Sequence, residues 1–167
     1  MKIILGIGNP GEKYSKHYHN LGIIFAQYLV NVYKDELISK TSSNNAETYK
    51  YENFSIIISK VFMNNSIKAL SGIYNIDKML VAHDELMIAK YRIRIKTTQG
   101  NAGHNGLRSI SIVHKAYDRL QIGVDHPKNF SINTDVSDYV LSNINNIEEY
   151  YIKFEESLPL IQKWLSE

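Results

Sequence analysis

Three short, wholly apolar runs are each followed by residues suited to turns or to chemistry. Ile3-Ile4-Leu5 leads into Gly6-Ile7-Gly8-Asn9-Pro10-Gly11, Ile56-Ile57-Ile58 precedes Met63-Asn64, and Met79-Leu80-Val81-Ala82 ends in His83-Asp84-Glu85. Runs of this length without polar alternation suit strands buried on both faces, as in a parallel sheet. In open α/β sheets the crevice beyond the carboxyl ends of such strands is where ligands bind. Asn9, Asn64 and Asp84 are therefore expected to converge on one cleft. His19-Asn20, which closes the first loop, and Asn105 in Gly103-His104-Asn105-Gly106-Leu107 are expected to join them.

Between the apolar runs lie amphipathic stretches. Ile23, Phe25-Ala26, Leu29-Val30 and Val32-Tyr33 form a broad apolar stripe that predicts a helix over 20–34. The remaining pattern predicts strands at 2–7, 36–40, 47–51, 54–61, 78–83, 89–97 and 118–124, and helices at 65–75, 105–115, 135–142 and 147–165. Thr41-Ser42-Ser43-Asn44-Asn45 is turn-rich and expected to be exposed. Ser66 or Asn65 is expected to cap the helix at 65–75, and Pro159 to kink or restart the last helix. Strands alternating with helices give the expected fold. It is a single domain over 1–167, a three-layer α/β/α sandwich around a mixed, mostly parallel twisted sheet.

The 167 residues suit one domain with a proper core. With no cysteine, the chain excludes disulfides, thiolate chemistry and cysteine-ligated metal, and it fits a reducing, cytoplasmic setting. No apolar run approaches the roughly 20 residues of a transmembrane helix. Met1-Lys2-Ile3 goes straight into strand-like sequence, so neither a signal peptide nor a membrane partner is expected.

Gly6-x-Gly8-x-x-Gly11 matches a dinucleotide fingerprint literally, but that fingerprint needs a helix to start inside it. Pro10 and Glu12-Lys13-Tyr14-Ser15-Lys16 delay any helix, and the acidic residue expected after the second strand is not evident. Taken singly, His19, Asp84, Asn64 and Asn105 could each be a cap or turn residue. Gathered at strand ends, they have a chemistry. Histidine is the usual general base near neutral pH, and a carboxylate on one ring nitrogen fixes the tautomer that leaves the other free. With no cysteine and no serine nucleophile elbow, such a base would act on water. Asparagine amides could donate to the developing oxyanion. Metal-ligand spacings next to Asp or Glu are missing, so no metal and no other cofactor is expected.

Lys90-Tyr91-Arg92-Ile93-Arg94-Ile95-Lys96 alternates cation with apolar or aromatic residue. On a strand all four cations, Lys90, Arg92, Arg94 and Lys96, would share one face in a row about 20 Å long. A solubilising face is the ordinary explanation. Four cations with no interleaved acid also suit a sugar-phosphate backbone, with Arg108 and Lys115 extending the field.

Together these residues resemble a known family. Gly6-x-Gly8-Asn9-Pro10-Gly11, Tyr14, His19-Asn20-x-Gly22, Phe62-Met63-Asn64, His83-Asp84-Glu85-Leu86, Gly103-His104-Asn105-Gly106-Leu107 and Arg119-Leu120-x-Ile122-Gly123-x-x-His126-Pro127 are similar in order and spacing to bacterial-type peptidyl-tRNA hydrolase. The resemblance implies a monomer that cleaves the ester between peptide and tRNA after abandoned translation. It implies His19 as general base, Asp84 as its orienting partner, and Asn9, Asn64 and Asn105 holding substrate and oxyanion. Tyr14 and Met63 would wall the peptide or terminal-nucleotide site, and Arg94 and Lys96 would clamp the tRNA 5′-phosphate. An idle RNA-binding protein on the same scaffold is the alternative, and the His19–Asp84 pair argues against it. The chain departs from the pattern in four places. Thr97 to Ala102 is poor in glycine, Gln121 replaces a basic residue, His17-Tyr18 precedes the His-Asn pair, and Met87-Ile88-Ala89 lacks the usual prolines and glycine.

Overall fold

The computed structural model describes residues 1–97, 103–130 and 133–167. One seven-stranded sheet organises them, with strands β1 Lys2–Gly6, β2 Ser39–Ser42, β3 Ala46–Lys50, β4 Phe54–Ser59, β5 Lys78–Glu85, β6 Ile93–Lys96 and β7 Asp118–Gly123. Their spatial order is β2-β3-β4-β1-β5-β7-β6. The centre, β4-β1-β5-β7, is parallel, and β2, β3 and β6 add antiparallel edges. The three apolar runs are the three central strands, buried on both faces as their lack of alternation requires.

Helices cover both faces. α1 (Leu21–Val32) and α4 (Ile147–Ser166) pack on the face bearing Ile4, Leu80, Ala82 and Leu120. α2 (Asn105–Ser111) and the 3-10 segment Met63–Leu70 cover Ile3, Leu5, Val81 and Ile57. α3 (Val136–Val140) is short and begins at Asp135, whose carboxylate accepts from the Ser137 amide at 2.8 Å. The three-layer α/β/α arrangement agrees with the sequence reading. Among the described residues no helix is long and apolar enough to cross a membrane.

Several elements differ from expectation. Lys34–Glu36 is a 3-10 turn, and the first edge strand starts only at Ser39. Its register with β3 is set by the turn at Ser43, whose Oγ accepts from the Asn45 and Ala46 amides. The segment after β4 is a 3-10 helix from Met63, not an α-helix at 65–75. Neither Asn65 nor Ser66 caps it, since the Ser66 hydroxyl donates to the Met63 carbonyl at 2.6 Å. α4 runs through Pro159 without restarting. Buried Tyr150 and Phe154 before the proline and Ile161 and Trp164 after it hold both halves on the sheet, and the Trp164 indole donates to Asp118 at 2.7 Å.

The expected strand at 89–97 is the largest correction. Only 93–96 is strand, because the Arg92 amide donates to the Ala89 carbonyl and Tyr91 takes a φ of 70°. The chain turns at 89–92 although the two-residue alternation continues through it. Residues 98–102 of the glycine-poor loop lie outside the described residues.

Candidate active site

The cleft lies beyond the carboxyl ends of β4, β1 and β5. Strand β1 ends at Gly6 and delivers Asn9, β4 ends at Ser59 and delivers Met63 and Asn64, and β5 ends in Asp84-Glu85. The resulting hollow, about 560 Å³, has Asn9, His19, Asn64, Asp84, His104 and Asn105 on its polar side. Leu86, Met87, Val136, Val140 and Leu141 line an apolar wall.

His19 reaches Asp84 because α1 presses on the sheet where it begins. A Cβ on Gly22 would sit 2.1 Å from the Ala82 carbonyl oxygen, so only glycine permits this approach. His19 lies one turn before Gly22 and Asp84 two residues beyond Ala82. The contact that needs glycine is therefore the one that sets the pair. His19 Nδ1 and Asp84 Oδ2 are 2.8 Å apart.

The other carboxylate oxygen is also engaged: His104 Nε2 lies 2.8 Å from Asp84 Oδ1. His104, not Asn105, is the N-cap of α2, and its Nδ1 accepts from the Gly106 and Leu107 amides at 3.1 and 3.4 Å. An Nδ1 that accepts carries no proton, so the His104 proton is on Nε2 and points at Asp84. The ionised carboxylate only accepts, so His19 donates from Nδ1 and its Nε2 keeps a free lone pair. One buried carboxylate thus fixes two imidazoles.

Burial opposes charge on His19, but the charge and hydrogen bond of Asp84 outweigh it and hold the imidazole above its ordinary value of 6.5. Burial also opposes ionisation of Asp84, yet the two imidazoles hold its carboxyl well below the usual range. The neighbouring His83 goes the other way. Burial and the nearby His104 push it down to about 3, so it stays neutral while its Nδ1 donates to the Asp84 carbonyl at 2.8 Å.

Asn9 is held by its own backbone and side chain. Asn20 clamps the backbone from both sides, its Oδ1 accepting from the Asn9 amide at 2.8 Å and its Nδ2 donating to the Asn9 carbonyl at 2.9 Å. Asn9 Oδ1 accepts from the Met63 amide at 2.8 Å, which turns its NH2 away from that contact and leaves it free to donate. Asn64 and Asn105 are exposed on the cleft rim. Met63 is buried beneath, and Gly106 gives it room, since a Cβ there would meet Met63 Sδ at 2.5 Å. Tyr14 is not part of the wall. It packs edge-on against Phe62, which is, with ring centroids 6.1 Å apart.

His19, Asp84 and His104 are also a group whose donor atoms, all within 4.8 Å, could hold a cation. Within that group, His19 Nδ1 and His104 Nε2 are hydrogen-bonded to the two oxygens of Asp84.

The four expected phosphate ligands do not form one row. Arg94 and Lys96 share a face of β6, whereas Lys90 and Arg92 sit in the turn before it. Lys90 Nζ lies over the rings of Tyr18 and Phe130, 5.4 Å from each centroid. Arg92 and Lys90 line a separate hollow against α4.

Residues 3–167 match the family model described as peptidyl-tRNA hydrolase. The chain belongs to the peptidyl-tRNA hydrolase family. It is 38% identical over 152 residues to the peptidyl-tRNA hydrolase of Rickettsia akari, covering 86% of this chain and 80% of that protein. It is 37% identical over 153 residues to that of Ehrlichia canis, covering 87% and 78%. The crystal structure of peptidyl-tRNA hydrolase from Acinetobacter baumannii superposes with a TM-score of 0.78 at 28% identity, covering 95% of this chain and 83% of that one.

Sequence reasoning missed His104 as the second partner of Asp84 and Asn20 as the clamp on Asn9. Both lie inside the motifs that carry the family resemblance. The signal for His104 was its place one residue before a helix start, where a side-chain acceptor is wanted.

Proposed function

We propose that this family member hydrolyses the ester that joins a peptide to tRNA, releasing both after aborted translation, with His19 as general base. The observation that carries the assignment is the 2.8 Å contact between His19 Nδ1 and Asp84, which leaves Nε2 to accept a proton. A water molecule gives that proton to Nε2 as its oxygen attacks the ester carbonyl carbon. The tetrahedral intermediate then expels the ribose oxygen, and the imidazolium returns the proton to it. The products are a peptide carboxylic acid and a free tRNA hydroxyl, so the water is fully accounted for.

Asn9 offers a directed NH2, and Asn64 and Asn105 offer amides from the rim; these groups hold substrate and stabilise the oxyanion. One good donor of this kind contributes about 2.7–4 kcal/mol. Met63 supports the floor, Tyr14 acts through Phe62, and Arg94 with Lys96 binds RNA phosphate. Lys90 and Arg92 border that field from the adjacent turn. In this reading the enzyme is a cytoplasmic monomer that needs neither metal nor other cofactor.

The test is cleavage of an N-blocked aminoacyl-tRNA by catalytic amounts of purified protein. Many turnovers per enzyme are expected. Stoichiometric binding of tRNA without turnover would instead mark an RNA-binding protein on a hydrolase scaffold.

A further inference from the structure

A chain of side-chain hydrogen bonds crosses the sheet from its basic edge to the catalytic strand. It begins at Glu85, buried next to Asp84 at the end of β5. Glu85 Oε1 accepts from Gln121 Nε2 at 2.7 Å, and Gln121 Oε1 accepts from Arg94 Nε at 2.7 Å. Gln121 and Arg94 are direct partners across the β6–β7 ladder.

The order of these groups is dictated by chemistry. The Glu85 carboxylate only accepts, so it draws the Gln121 NH2 toward itself and turns the amide oxygen toward β6. That oxygen meets an obligate donor, the Arg94 guanidinium. Gln121 is 2% exposed and has no freedom to flip, whereas Arg94 is exposed. With Nε engaged, the guanidinium is fixed in plane, and among the described residues no hydrogen bond occupies its two terminal nitrogens. Those nitrogens are the edge that grips a phosphate in bidentate fashion. An exposed arginine ordinarily loses rotamer freedom when it binds; here part of that freedom is already gone.

We propose that Gln121 is a positioning residue for RNA recognition: anchored on buried Glu85, it presents the Arg94 guanidinium to a phosphate of the tRNA. The inference rests on the peptidyl-tRNA reading above and adds what holds the phosphate ligand in place. It assigns a function to a glutamine that carries no charge and is buried between Glu85 and Arg94.

The experiment measures KM and kcat on an N-blocked aminoacyl-tRNA for Gln121→Leu, Arg94→Lys, Arg94→Ala and the double variant Gln121→Leu/Arg94→Ala. Gln121→Leu should raise KM about tenfold, the scale of one charge-assisted hydrogen bond, with kcat nearly unchanged. Arg94→Lys keeps the charge but loses the Nε donor and the fork, so it should raise KM to a similar extent. In the Arg94→Ala background, Gln121→Leu should add nothing. An equal penalty in both backgrounds would show a merely structural glutamine and overturn the inference. So would a wild-type KM for either Gln121→Leu or Arg94→Lys. Arg94→Lys changes an exposed side chain, so it decides the matter even should Gln121→Leu fold poorly. An unaltered KM for Arg94→Ala would remove the phosphate reading itself, and this inference with it.

Discussion

Replacing Asp84 by asparagine should disable the enzyme through a tautomer rather than through lost charge alone. His104 must donate from Nε2, since its Nδ1 accepts from the Gly106 and Leu107 amides. An asparagine at 84 would therefore turn its single oxygen to His104 and its NH2 to His19. Facing a donor, His19 Nδ1 becomes the acceptor and its proton moves to Nε2, the atom required to be free. Loss of a positioned general base costs about 10²- to 10⁴-fold in rate, or about 3–5 kcal/mol of barrier. The assay is kcat/KM for N-blocked aminoacyl-tRNA as a function of pH. With the carboxylate gone, burial acts on His19 unopposed, so the acid limb of the residual activity should move to lower pH. A sharper result follows in the double variant Asp84→Asn/His104→Ala. The asparagine is then free to present its oxygen to His19, and activity should recover about tenfold over Asp84→Asn, the scale of one restored hydrogen bond. Asp84→Asn with near wild-type kcat/KM, or a double variant slower than Asp84→Asn, would refute the tautomer argument.

With His19 as the proposed general base, kcat/KM should rise with pH through a midpoint above 6.5; a midpoint below it would contradict the raised value. In stability the signs are opposite for the two partners. The contribution of His19 is complete below its unfolded value and is lost as pH rises through the folded one, whereas that of Asp84 is lost as pH falls through its depressed value. Urea melts of His19→Ala and Asp84→Ala against wild type across pH would separate them. Gly22→Ala should force α1 off β5, where its Cβ would meet the Ala82 carbonyl at 2.1 Å. The expected loss is about 1–3 kcal/mol in urea melts together with lower kcat, and wild-type values for both would contradict the close approach. Dialysis against EDTA should leave activity unchanged, while added Zn2+ should inhibit by competing for His19, Asp84 and His104. Activity lost to the chelator and restored by metal would overturn the metal-free reading.

The central strands were legible because a run such as Ile56-Ile57-Ile58 has few ways to be satisfied other than burial on both faces. The convergence of Asn9, His19 and Asp84 followed from the rule about strand ends, and Gly22 shows how the helix comes close enough to β5 to allow it. What sequence periodicity could not reveal was backbone direction. The alternation from Lys90 to Lys96 reads as one strand, but the turn at 89–92 breaks it, and Lys90 leaves the row for an aromatic cluster. Tertiary anchoring likewise overrode the local signal at Pro159. His104 was hidden because its role comes from two partners, one local in α2 and one distant in β5. Gln121 read as the loss of a cation; its meaning depends on Glu85 and Arg94, which lie on other strands.

The central claim is that an imidazole set by Asp84 draws a proton from water in this cleft. Its most direct test is the pH–rate profile of His19→Ala on N-blocked aminoacyl-tRNA, beside a binding measurement with uncharged tRNA. The expected result is tRNA affinity close to wild type, turnover reduced by about 10²- to 10⁴-fold, and a residual rate that climbs with hydroxide instead of reaching a plateau. Wild-type turnover in His19→Ala, with the same acid limb, would contradict the account.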